Sequence, residues 1–136
     1  MTSPPADPER RQVAAWVVAL FAVAFHIWGL YTPSVPDAGA LAFPGLDKLA
    51  HVVLFAVPTW ALLRVTRTPW VPLLLMLAHM PVSELVQSSW LPGRTGDVGD
   101  AAADLVGIAV GWWTFRSSAR VEGNSGESSP SGAEGP

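Results

Sequence analysis

The chain has 136 residues, half of them hydrophobic and 14% charged, with a net charge of −3 and no cysteine. Its mean hydropathy of +0.34 sets it among membrane proteins rather than soluble domains. The missing cysteine excludes disulfide, thiolate-metal and cysteine-nucleophile chemistry, and with no basic patch or motif nucleic acid is not an expected partner.

In chain order, residues 1–12 are polar and proline-rich and read as a disordered leader. Residues 13–30 form an apolar run of 18 residues, long enough to span a bilayer core at ~1.5 Å per residue. A cleaved signal peptide is the competing reading. Against it, the leader is acidic as well as basic, and the small-residue pattern Ala38-Gly39-Ala40 lies well past the run. Residues 31–46 hold Pro33, Pro36, Gly39, Pro44 and Gly45 and have no helical period. Asp47 then reads as the N-cap of a second helix that reaches about Val65, followed by a tight turn ending at Pro69. A third helix is expected over 70–88, with Pro72 harmless in its first turn. Pro58 and Pro81 fall mid-helix and predict kinks, tolerable in a membrane where neighbouring groups satisfy the freed carbonyls. Residues 89–99 read as a loop, 100–115 as a fourth helix, and 117–136 as a disordered tail rich in Ser, Gly, Pro and Glu. The expected fold is all-α, a four-helix transmembrane bundle over residues 13–116.

If four helices alternate, Arg10, Arg11, Arg64, Arg67, Arg116 and Arg120 fall on one side of the membrane, and only Lys48 and Arg94 on the other. That bias puts both termini in the cytoplasm. The tryptophans agree. Trp28 and Trp90 flank the outer helix ends, while Trp16, Trp60, Trp70, Trp112 and Trp113 flank the inner ones.

This topology brings the ionisable residues to one face. Asp47, Lys48 and His51 open the second helix, Glu84 and Gln87 close the third, and Asp97, Asp100 and Asp104 lead into the fourth. A charge at bilayer depth costs roughly 2.5–3.5 kcal/mol on insertion scales, so such residues mark a site by default. Asp47 and His51 are spaced i, i+4, Glu84 and Gln87 i, i+3, and the three aspartates step by three and then four. Each set therefore shares one face of its helix or helix entrance, and those faces turn inward to an outer pocket.

The order Asp47-Lys48-x-x-His51, Glu84-x-x-Gln87, Gly93-Arg94-x-x-Asp97-x-x-Asp100 and Asp104-x-x-Gly107, with Gly111 beyond, resembles the VanZ-like family of small bacterial membrane proteins. The resemblance covers residues 33–111. Family members typically carry Asn where this chain has Asp104, which adds a negative charge. The resemblance implies a multi-pass protein of the bacterial cell membrane, in an envelope context, with a founding member linked to low-level teicoplanin resistance. It implies no reaction.

Each polar residue also has a structural reading. Asp47 can cap, Lys48 snorkel and His51 bond within the core. Glu84 and Gln87 can tie helices together, although such bonds average only ~0.6 kcal/mol in membranes. Arg94 could clamp a phosphate or carboxylate, or neutralise Glu84 or Asp97. Asp97, Asp100 and Asp104 could hold Mg²⁺ or Ca²⁺, but Asp97 and Asp100 are also ordinary capping residues, and the pattern names no cofactor. His26 and His79 lack a spaced acidic partner and read as hydrogen-bonded core groups. Gly107 and Gly111 read as a face for close helix packing.

Five carboxyl groups in the pocket oppose only Lys48 and Arg94. Proton uptake, a bound cation or a cationic ligand group would relieve the excess. The leading expectation is a non-catalytic envelope protein whose outer pocket binds a membrane lipid, lipid-linked envelope precursor, glycopeptide or other small polar ligand. The alternative is a membrane-embedded metal-dependent hydrolase or transferase at the outer leaflet, with Glu84 or His51 as general base. A proton-coupled carrier ranks third, since four short helices would need a homodimer to form a pathway.

Overall fold

The computed structural model describes residues 7–32, 45–91 and 98–126, and side chains as far as residue 120. The described residues form four helices and no strand: α1 Pro8–Tyr31, α2 Leu46–Val65, α3 Trp70–Trp90 and α4 Val98–Gly126. Among them α1, α2 and α3 are long and apolar enough to cross a membrane.

Three helix ends differ most from the sequence expectation, and α3 also runs on to Trp90 while α4 opens at Val98, both within the segment expected to be loop. α1 begins at Pro8, inside the segment expected to be leader, because Asp7 caps it: its carboxylate accepts the Glu9 N–H at 3.1 Å. Pro8 suits the first helical position, and Glu9 meets the positive end of the helix dipole. α2 is entered through Gly45, whose φ of +88° is a left-handed conformation that glycine adopts without strain. Asp47 thus sits in the first turn rather than at the cap. α4 continues to Gly126, past the expected end at residue 115. No glycine or proline interrupts it between Trp112 and Glu122, and Arg116 stacks over the Trp112 ring at 5.5 Å.

The helices alternate in direction. Gln87, near the end of α3, bonds the Leu30 carbonyl near the end of α1, while Lys48 at the start of α2 pairs with Asp100 at the start of α4. The most extensive pairing is α2 with α4. Its cause is the absence of side chains at Gly107 and Gly111. A Cβ at Gly107 would lie 2.5 Å from the Val52 carbonyl oxygen, and one at Gly111 2.5 Å from that of Ala56. Ala19, Ala22 and Ala61 play a similar part between α1 and α2, and Leu30, Leu54, Phe55, Met76 and Ile108 fill the middle of the bundle.

Polarity is reversed relative to a water-soluble bundle. His26, His51, Thr59, Ser83, Gln87, Asp100 and Asp104 are buried, while Leu20, Phe21, Leu74, Leu85 and Trp113 are exposed. Such a surface is consistent with a membrane protein, in which close packing and interior hydrogen bonds join the helices because lipid tails already solvate apolar side chains.

Pro58 shows how the interior is satisfied. It has no N–H for the Leu54 carbonyl one turn earlier. His26 of α1 supplies the missing donor: its Nδ1 lies 2.7 Å from that oxygen. Because a carbonyl only accepts, Nδ1 carries the hydrogen and Nε2 accepts from His79 Nδ1 at 3.0 Å. His79 Nε2 then accepts from the Tyr31 hydroxyl, also at 3.0 Å. Every ring nitrogen in this chain of bonds has a partner. The two histidines are thus hydrogen-bonded core groups.

Candidate functional site

Three helix ends build the site. The first turn of α2 carries Asp47 and Lys48, and His51 follows one turn later on the same face. Lys48 Nζ lies 3.3 Å from an Asp47 carboxylate oxygen and 2.5 Å from Asp100 Oδ1. It bridges the exposed rim of the site to its buried wall. Asp100 lies in the first turn of α4, where the helix dipole favours a carboxylate.

One turn deeper, His51 Nδ1 lies 2.8 Å from Asp104 Oδ1, and both side chains are almost wholly buried. With Asp104 ionised, Nδ1 carries the hydrogen and Nε2 is left with its lone pair. The remaining Asp104 oxygen, Oδ2, is buried without a hydrogen-bond partner among the described residues. A buried carboxylate holding a histidine in one tautomer and orientation is the usual support for a general base or a metal ligand.

Glu84 joins from α3, half-buried. A ring nitrogen of His51 and one carboxylate oxygen each from Glu84 and Asp100 all lie within 4.8 Å of one another. With Nδ1 bonded to Asp104, Nε2 is the nitrogen that would have to take part. One nitrogen and two carboxylate oxygens at this spacing can share a divalent cation, or a polar group of a ligand. Glu84 also lines a groove of about 370 Å³ between α3 and α4, whose walls include Met80, Pro81, Leu85 and Ala101. The groove is apolar except at its Glu84 and Ser88 side.

Five of the sequence-derived site residues therefore come together: Lys48, His51, Glu84, Asp100 and Asp104. Asp47 touches the group only through Lys48. Gln87 is buried and points toward α1, its Nε2 donating to the Leu30 carbonyl at 3.1 Å. That carbonyl belongs to the last turn of a helix, where intrahelical donors run out. Arg94 and Asp97 lie outside the described residues. Tyr31 was not singled out in the sequence: its partner His79 is 48 residues away, and no local spacing signals the pair.

No family model matches the chain, and no curated protein or solved structure does so either.

Proposed function

We infer that the chain is a multi-pass protein of the bacterial cell membrane, with four spans and both termini cytoplasmic, whose helix-end cluster is an extracytoplasmic binding site. In this reading the site takes the polar head of a lipid-linked envelope precursor, a glycopeptide or a similar small ligand, and contributes to teicoplanin-type resistance, as the VanZ-like resemblance implies. The observation that carries it is the convergence of Lys48, His51, Glu84, Asp100 and Asp104 from three helices at one end of an otherwise apolar-surfaced bundle. Lys48 offers charge to an anionic group, and the carboxylates offer acceptors to hydroxyls and amides. The apolar groove beside Glu84 suits the hydrocarbon part of a lipid-linked ligand.

Glu84→Ala and Asp100→Ala test this, each in a host whose tolerance of teicoplanin depends on the wild-type chain, with membrane levels verified. Both variants should lose the tolerance and the bound ligand seen by native mass spectrometry of the purified protein. Unchanged tolerance in both overturns the binding site.

The spacing of His51, Glu84 and Asp100, with Asp104 behind His51, favours a second reading: a metal-dependent hydrolase or transferase at the outer leaflet. A bound divalent cation would polarise a phosphoryl or acyl oxygen, or lower the pKa of a bound water, and would offset the acid excess. Elemental analysis of protein purified without chelator distinguishes the two. The enzyme reading expects near-stoichiometric metal that falls at least several-fold in His51→Ala; binding or activity unaffected by metal removal sinks it.

A further inference from the structure

At the opposite end of the bundle, a cavity of about 520 Å³ lies between α1 and α2, with Arg11 and Arg64 on its wall. Ala14 and Ala15 on α1 and Ala61 on α2 leave it open, because small side chains line both helices where they face each other. Trp60 completes the wall. Its indole Nε1 is buried and has no hydrogen-bond acceptor among the described residues. The Arg64 guanidinium stands over the Trp60 ring, 5.3 Å from its centre. No described carboxylate lies within ion-pair distance of Arg11 or Arg64.

The two guanidinium groups on the wall supply only donors and carry positive charge, so the partner that complements them is an anion rich in acceptors. Phosphate oxygens meet that description, and arginine forks match them bidentately. The remaining wall is apolar. Val18 lines the cavity and is also 48% exposed, so the cavity continues into the apolar surface that α1 turns outward. A free phosphate would gain nothing from that wall, whereas a phospholipid would lay an acyl chain along it.

We propose that the α1–α2 cavity is a binding site for an anionic phospholipid, its phosphate held by Arg11 and Arg64 and one acyl chain lying over Ala14 and Val18. The proposal rests on the membrane setting of the helices and is independent of the cluster at the other end. Phosphatidylglycerol and phosphatidylcholine share a phosphodiester and differ in net charge, so they serve as the paired probes.

Native mass spectrometry and thermal unfolding of full-length protein in nanodiscs of either lipid provide the test. Wild-type protein should keep at least one phosphatidylglycerol through detergent exchange, prefer it over phosphatidylcholine by about tenfold, and unfold at a higher temperature in its presence. Arg11→Gln combined with Arg64→Gln should abolish the preference. Wild-type protein that is indifferent to the two lipids overturns the proposal even if every variant fails to fold. Inorganic phosphate displacing the lipid at millimolar concentration would identify a small-anion site and overturn the lipid assignment. A preference unchanged in the double variant would place lipid binding elsewhere.

Discussion

At the scale of single residues, Asp104 is the most informative position, because it is fully buried and bonds His51 through one oxygen. Asp104→Asn keeps a carbonyl oxygen for the His51 Nδ1–H and removes one negative charge from the pocket. It should leave the melting temperature within a few degrees and preserve ligand retention. Asp104→Leu leaves that buried N–H unpaired and should cost about 1–3 kcal/mol. Thermal unfolding of both variants in detergent checks the pair. A Leu variant as stable as wild type would mean the bond contributes nothing. The five clustered residues were legible in the sequence because a charge inside an apolar stretch must be sequestered, and helical spacing says on which face. Gln87 shows the limit of that logic. It has the right depth and spacing, yet its amide serves the end of α1, since a free helix-end carbonyl competes for any buried donor within reach.

At the scale of elements, the existence of the four helices followed from apolar runs separated by Pro- and Gly-rich segments, whereas their ends did not. Helix ends depend on caps such as Asp7 and on how far a helix propagates beyond an apolar run when no Gly or Pro interrupts it, as at Arg116–Arg120 of α4, and polarity patterns carry little of that. The helix-interior prolines were legible, but the group that serves the carbonyl freed by Pro58 was not: His26 and Leu54 are 28 residues apart. A double-mutant cycle tests this repair. His26→Ala alone should destabilise the protein by about 1–3 kcal/mol, since it strands the Leu54 carbonyl. In a Pro58→Ala background the alanine N–H at position 58 can close the helical bond, so the same His26 substitution should cost less. A coupling of about 0.5–3 kcal/mol is expected. Strict additivity would mean that His26 acts only through His79 and Phe55, its other neighbours.

At the scale of the whole molecule, the open question is whether α4 crosses with the other three. Three helices qualify as spans by length and composition, and α4, with Asp100 and Asp104 in its opening turns, is not among them. Its packing argues that it crosses. Asp100 meets Lys48 at the start of α2, Gly107 and Gly111 follow Val52, Ala56 and Thr59 along its length, and Phe115 and Ser118 line a cavity with Arg64 at its end. A helix that accompanies α2 from end to end can reach the same depth, and we propose that α4 spans where α2 does. Charge agrees. With four spans, Lys48 and Arg94 are the only basic residues outside. With three, Arg116 and Arg120 would join them there and the inside bias would vanish. The chain has no native cysteine, so single introduced cysteines decide the matter. In intact cells a membrane-impermeant maleimide should label Ser34→Cys and spare Thr68→Cys and Ser131→Cys until the membrane is permeabilised. Labelling of Ser131→Cys from outside, with Thr68→Cys still protected, would leave α4 as a helix that packs on α2 without crossing. Labelling of Thr68→Cys instead of Ser34→Cys would invert the molecule and carry the Lys48–His51–Glu84 site to the cytoplasmic face, away from any extracytoplasmic ligand.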